Sequence, residues 1–244
     1  MRKHRVFNSI PSINFHESEF DTRMKKRSLA GSVAIGFVLL TFILIAVSFS
    51  TPSWLVSDYR ITGARLDRFG LWTHCFRSLP DPVDINQRRF FVGCRWIYDP
   101  FTTGYDQIRG FLVPAFLVAT QFFFTVCFIA ALLSAILTLL YFLCCGPDIK
   151  HYVTLIKLNA WILLVGGLAG GIAVVVFACE ANKDNWMPGH DNNFFGWSFA
   201  LACIGAVAAL VASTLFFVEG YVQQRKRKQL KDSQMRFEME HEKI

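Results

Sequence analysis

Charged residues are scarce in this sequence, 18% of 244, and they vanish from long stretches of it. Residues 29–49, 110–145 and 194–218 hold none, and 153–179 holds only Lys157, close to its start. Proton relays, ion-coupled transport and intramembrane hydrolysis need buried ionisable groups, so these stretches offer such chemistry nothing to work with. Metal-ligand spacing is missing as well. None of the 7 cysteines forms a Cys-x-x-Cys pair, and the adjacent Cys144 and Cys145 have no histidine cluster beside them. Gly-x-Ser-x-Gly, His-Glu-x-x-His and phosphate-loop patterns are all lacking, so no cofactor and no enzymatic activity are expected. No Asn-x-Ser/Thr sequon occurs, which argues against N-glycosylation. The first apolar run begins only near Leu29 with no small-residue cleavage site behind it, so no secretory signal is expected.

What is present suits lipid. Hydrophobic residues make up 53% of the chain and aromatics 15%, with 25 phenylalanines. That is too apolar for an ordinary soluble domain of this length. The net charge of +7 does not indicate nucleic acid, because the Lys and Arg residues gather beside the apolar runs. Membrane orientation explains that placement better.

In chain order, residues 1–28 carry seven Lys or Arg and three acids and read as a flexible cytoplasmic tail. Lys25-Lys26-Arg27 abut the first run, which is the cue that keeps a flank in the cytosol. Spans are expected at about 29–49, 110–145, 153–179 and 194–218, with extracellular loops at about 50–109 and 180–193. Residues 110–145 would extend about 54 Å as one helix, well beyond a hydrocarbon core of about 30 Å. No Gly, Pro or Asn offers a tight turn between 115 and 143, so one protruding helix is expected, with Pro114 in its first turns. Residues 219–244 form a cytoplasmic tail that holds the basic run Arg225-Lys226-Arg227-Lys228. The residues 29–218 then form a single tetraspan domain.

The first loop has both charge signs interspersed, as on a folded surface. Segments such as Arg89-Phe90-Phe91-Val92 and Cys94-Arg95-Trp96-Ile97-Tyr98 read as strands between the turn signals Pro80-Asp81-Pro82 and Asp99-Pro100. A small antiparallel sheet is expected. Cys75 and Cys94 are the only cysteines in that loop. An oxidising compartment would pair them; otherwise they are two unrelated thiols. Trp72 is an amphipathic ring suited to a membrane boundary.

Other residues carry weaker signals. Gly166, Gly167, Gly170 and Gly171 form two overlapping Gly-x-x-x-Gly pairs that let helices approach closely, within the bundle or between copies. Gln121 and Asn159 are the notable polar groups inside the spans and are expected to bond between helices. Cys144 and Cys145 are juxtamembrane candidates for palmitoylation, and equally plain apolar filler. His74 reads as a surface residue.

Four spans, a large first loop, a short second loop and the series Trp54…Gly70-Leu71-Trp72-x-x-Cys75…Cys94 resemble the claudin superfamily. That group includes the claudins, the peripheral-myelin-type tetraspans and channel accessory subunits. Arg109 matches the arginine these proteins carry just before the second span. The sequence looks closest to insect septate-junction claudin-like proteins of the Pasiflora type, although the eighteen residues between Cys75 and Cys94 exceed the vertebrate separation.

The resemblance implies a left-handed all-α membrane four-helix bundle topped by a small extracellular antiparallel β-sheet. Cys75 and Cys94 would be disulfide-bonded, Trp72 would anchor the sheet at the outer leaflet, and Arg109 would brace it. It implies a structural component of an epithelial or glial septate-type junction, at lateral plasma-membrane contacts with both termini cytoplasmic. The protein would contribute to the paracellular barrier through its loops. Its partners would be membrane lipids, other junctional claudin-like and adhesion proteins, and copies of itself. The alternative is an accessory subunit that modulates or traffics an ion channel or receptor. A paracellular pore tuned by Arg65, Arg68, Arg77, Arg88 or Arg89 ranks below both.

Overall fold

The computed structural model describes residues 28–58, 65–81, 84, 86, 88–99, 110, 112–143, 152–181, 183, 186 and 193–241. Arg109, Cys144, Cys145 and the N-terminal segment 1–27 lie outside the described residues. Four helices are long and apolar enough to cross a membrane: α1 (Leu29–Ser50), α2 (Ala115–Leu143), α3 (Tyr152–Glu180) and α4 (Trp197–His241). Each packs against its neighbours in the ring α1-α2-α3-α4. The outward faces are apolar, as with Leu133, Ile136 and Leu140 on α2 and Val165, Leu168 and Ile172 on α3. A stripe of that kind is stable against lipid and a liability in water.

Local chemistry sets the helix ends. Ser28 caps α1 by accepting a hydrogen bond from the Gly31 N–H at 3.3 Å. Pro114 does not fall inside α2 as expected. It stands immediately before Ala115, where its carbonyl accepts from the N–H groups of Leu117 and Val118. Proline has no N–H to donate and disfavours helix at the residue before it, so the helix begins behind it. α4 runs on past residue 218 to His241. The segment expected as a tail contains no proline and is rich in Gln, Lys, Arg, Glu and Met, all good helix formers.

Two buried clusters fill the bundle. One lies beneath the sheet around Trp54, Leu71, Phe124 and Phe177. The other, at the far end, gathers Val38, Tyr141, Tyr152, Ile156 and Phe216. Asn159 donates to Thr138 Oγ1 at 2.9 Å, joining α3 to α2 inside the span. At the far end Glu219 is fully buried against the start of α1. Ser28 Oγ donates to one of its oxygens, and Gln223 Nε2 donates to the other at 2.8 Å. A carboxylate is well placed at a helix N-terminus.

The glycines of α3 separate by face. A Cβ at Gly166 would lie 2.6 Å from Ala130 Cβ of α2, and one at Gly170 would lie 2.8 Å from Cys127 Sγ. One at Gly167 would lie 2.7 Å from Leu210 Cδ2 of α4. Gly171 packs on no other helix of the bundle, because a Cβ there meets nothing within 4 Å. The helical period turns it away from both neighbours. Gly166→Val should therefore overpack the α2–α3 contact and cost about 1–3 kcal/mol. Gly171→Val should be nearly silent. Thermal midpoints of the two purified variants in detergent check this contrast.

The strands β1 (Leu55–Ser57), β2 (Leu66–Phe69), β3 (Thr73–Pro80), β4 (Phe90–Trp96) and β5 (Asn193–Phe195) form one antiparallel sheet in the order β4-β3-β2-β1-β5. The two segments expected as separate strands, 89–92 and 94–98, merge into β4. Gly93 sits within it at φ +87°, a conformation other residues adopt only with strain. β5 comes from the second loop and pairs with β1. The first residues of the expected fourth span are thus strand, and the helix begins at Trp197.

Candidate functional site

Trp54 is the peg that seats the sheet on the bundle. It follows α1 directly and is fully buried. Its ring meets Phe124 of α2 at 4.9 Å, Phe177 of α3 at 5.1 Å and Phe199 of α4 at 5.8 Å, each in an edge-on arrangement. Edge-to-face pairs suit the quadrupoles of these rings. The remaining helix supplies the polar partner, since the indole Nε1 donates to the Ser48 carbonyl of α1 at 2.9 Å. Backbone bonds complete the seat. Trp54 N donates to Phe69 O at 2.9 Å, and Gly196 N donates to Trp54 O at 3.0 Å.

The Gly70-Leu71-Trp72 turn lies beside that peg. A Cβ at Gly70 would sit 2.5 Å from Pro52 Cα, so only glycine lets the turn between β2 and β3 press on the end of α1. Leu71 is buried, and its carbonyl accepts from Gln121 Nε2 at 2.6 Å. Gln121 therefore ties α2 to the sheet rather than to another helix. Trp72 is half-buried, with its ring 5.4 Å from Phe49 of α1. Phe49 in turn stacks on Phe128 of α2 at 4.6 Å. Trp186, which follows α3, wedges between the sheet and α2 and meets Phe69 and Phe116 edge-on, each at 4.9 Å.

Cys75 and Cys94 face each other across β3 and β4 and are joined by a disulfide with S–S 2.00 Å. The bond closes the hairpin whose far end is held by Asp84. That carboxylate accepts from the N–H groups of Arg88 at 2.8 Å, Arg89 at 2.9 Å and Asn86 at 3.1 Å. β4 ends the sheet order, and its outer residues Phe90, Val92 and Trp96, with Tyr98 just beyond, are exposed. Asp67 pairs with both Arg68 and Arg77 at 3.2 Å. Surface pairs of this kind contribute little to stability. Cys179 is a free, exposed thiol. Among the described residues no group of His, Cys, Asp and Glu is arranged to hold a metal.

His74 is not at the surface. It is fully buried, stacked on Phe69 at 3.8 Å, and neither ring nitrogen has a partner among the described residues. Burial pushes its pKa from the ordinary 6.5 down to about 3. The residue opposite on β4 is Arg95, whose guanidinium pairs with Asp99 at 3.7 Å. The folded-state pKa lies below the unfolded one, so as pH falls the unfolded chain takes up this proton first. The stability that depends on neutral His74 is present above pH 6.5 and is lost progressively between there and about pH 3. Below pH 6 the loss should run at about 1.4 kcal/mol per pH unit. His74→Phe should keep the stack and flatten that dependence. Thermal midpoints of both full-length proteins at pH 7 and pH 5 test it, and equal pH dependence would refute it.

Fold and site together define a class: a tetraspan membrane protein whose two loops on one side combine into a single disulfide-closed sheet keyed into the helix ends. Residues 39–218 match the family model described as PMP-22/EMP/MP20/claudin tight junction, and the chain belongs to that family. A comparison with curated proteins finds no match.

Proposed function

We propose that this protein is a structural component of an occluding cell junction of the septate type, helping to seal the paracellular route through association of its sheet with neighbouring ectodomains. The observation that carries the reading is the outer edge of β4. Phe90, Val92, Trp96 and Tyr98 are exposed there, and among the described residues a strand lies on one side of β4 only. Unpaired edges with apolar side chains invite another chain. The neighbours are other claudin-like or adhesion proteins, or a second copy of this chain, beside it or across the gap between cells.

The disulfide supports an extracellular sheet, since such bonds persist in oxidising compartments. The basic run Arg225-Lys226-Arg227-Lys228 at the opposite end, with Lys25-Lys26-Arg27 just before α1 in the sequence, supports cytoplasmic termini. Cys144 and Cys145 would then be available for acylation on the cytoplasmic side, and Arg109 would brace the sheet from the start of the second span. The role is non-enzymatic and needs no cofactor.

The test is dextran flux across an epithelium depleted of the protein, with a tagged copy followed by microscopy. Leakage, with the tag at lateral contacts, is the expected result. An intact barrier with stable co-purification of a channel or receptor would replace this reading with the accessory-subunit role.

A further inference from the structure

We propose that the end of the bundle opposite the sheet binds the headgroup of a phosphoinositide lipid bearing two or more phosphates, through Lys157 of α3 and Arg225 and Lys228 of α4. The basic run of α4 is not a uniform solvated charge, because the helix splits it. Arg227 turns inward, with its guanidinium 5.8 Å over the ring of buried Tyr152. Tyr221, Gln224, Arg225 and Lys228 fall at i, i+3, i+4 and i+7, which places them on one exposed stripe. α3 completes the stripe. Lys157 is exposed, and its Nζ donates to Gln224 Oε1 at 2.8 Å, which fixes an ammonium beside the two α4 cations.

The stripe lies at headgroup depth. Tyr221 is 57% exposed and stands two residues beyond Glu219, which is buried against the start of α1, so its ring marks the boundary of the apolar zone. The Arg225 guanidinium rests 5.0 Å over that ring, held at the boundary. Lys228 follows about 4.5 Å further along the axis. Three cations from two helices, two of them pre-positioned by Gln224 and Tyr221, suit a compact polyanion. A monoanionic lipid would engage only one of them. Asp232, one turn beyond Lys228, closes the stripe with an acid. In a cell the ligand is met only if this end faces the cytoplasmic leaflet, so the inference rests on the orientation given above.

The binding is tested on full-length protein in neutral detergent micelles by native mass spectrometry, with added phosphatidylinositol bisphosphate or phosphatidylserine. Micelles have no sides, so the result does not depend on orientation. Antibody access to a C-terminal tag on intact cells reads orientation separately. The bisphosphate lipid should be retained preferentially, and R225Q/K228Q should lower its retention about tenfold or more. K231Q/R236Q removes the same charge further along α4 and should change retention less than about twofold. K157Q alone should give an intermediate loss. Equal retention of the two lipids, equal loss in the two double variants, or no loss in R225Q/K228Q would overturn the site. Soluble inositol trisphosphate binding as tightly as the lipid would make free phosphate the ligand and overturn the lipid assignment.

Discussion

Trp54→Ala should unseat the sheet and leave the protein inside the cell. The substitution removes one ring that touches an aromatic on each of α2, α3 and α4, and it strips the Ser48 carbonyl of its donor. Large-to-small changes at buried aromatics cost about 3–5 kcal/mol. The void cannot close cheaply, because its walls belong to four separate helices. Trp54→Phe keeps part of the ring packing and loses the indole bond, so it should cost less, about 1–3 kcal/mol for the unpaired buried carbonyl. Surface biotinylation and thermal midpoints in detergent measure both variants. A wild-type midpoint for Trp54→Ala would mean that the sheet is held by something other than this peg.

Cys75→Ser, like Cys94→Ser, should also block delivery, for a different reason. The bond closes a stretch of 19 residues in the unfolded chain, which removes conformational freedom equivalent to about 3 kcal/mol on the chain-entropy account. Three of the five strands have only 3 or 4 residues, and the sheet owes much of its core to the bundle beneath it. The double substitution of both cysteines should be no worse than either one, since each single change already loses the whole cross-link. Surface biotinylation of the three variants is the measurement. Normal delivery of Cys75→Ser would show the disulfide to be dispensable for folding.

The helices were legible because lipid demands long runs with almost no charge, and this chain supplies four, with Lys157 the only charged residue in them. The first-loop sheet was legible from alternation bounded by proline turns, and the pairing of Cys75 with Cys94 from the family resemblance. β5 was not, because Asn193-Phe194-Phe195 is short and abuts an apolar run, so it reads as the start of a span. It becomes a strand only because β1 offers an edge at that point. His74 was misplaced for a similar reason. A histidine in a polar loop is usually solvated, and nothing local signals that Phe69 will cover it. Gln121 is a group whose partner, the Leu71 carbonyl, lies 50 residues away and is invisible to helical periodicity. Gly171 shares its spacing with Gly167, yet only the rotation of α3 in the bundle decides which of them meets a neighbour. The continuation of α4 was the one feature local propensity favoured and the hydropathy reading passed over.

The most direct measurement of the central claim is rescue of barrier function by a protein altered only at the outer edge of β4. Val92→Lys with Trp96→Glu places charge on two exposed residues and leaves the disulfide, the Trp54 peg and the bundle untouched. In an epithelium depleted of the endogenous protein, this variant should reach the cell surface at normal levels while dextran continues to leak. Full restoration of the barrier by the variant would contradict the assignment of the β4 edge as the surface through which the protein assembles.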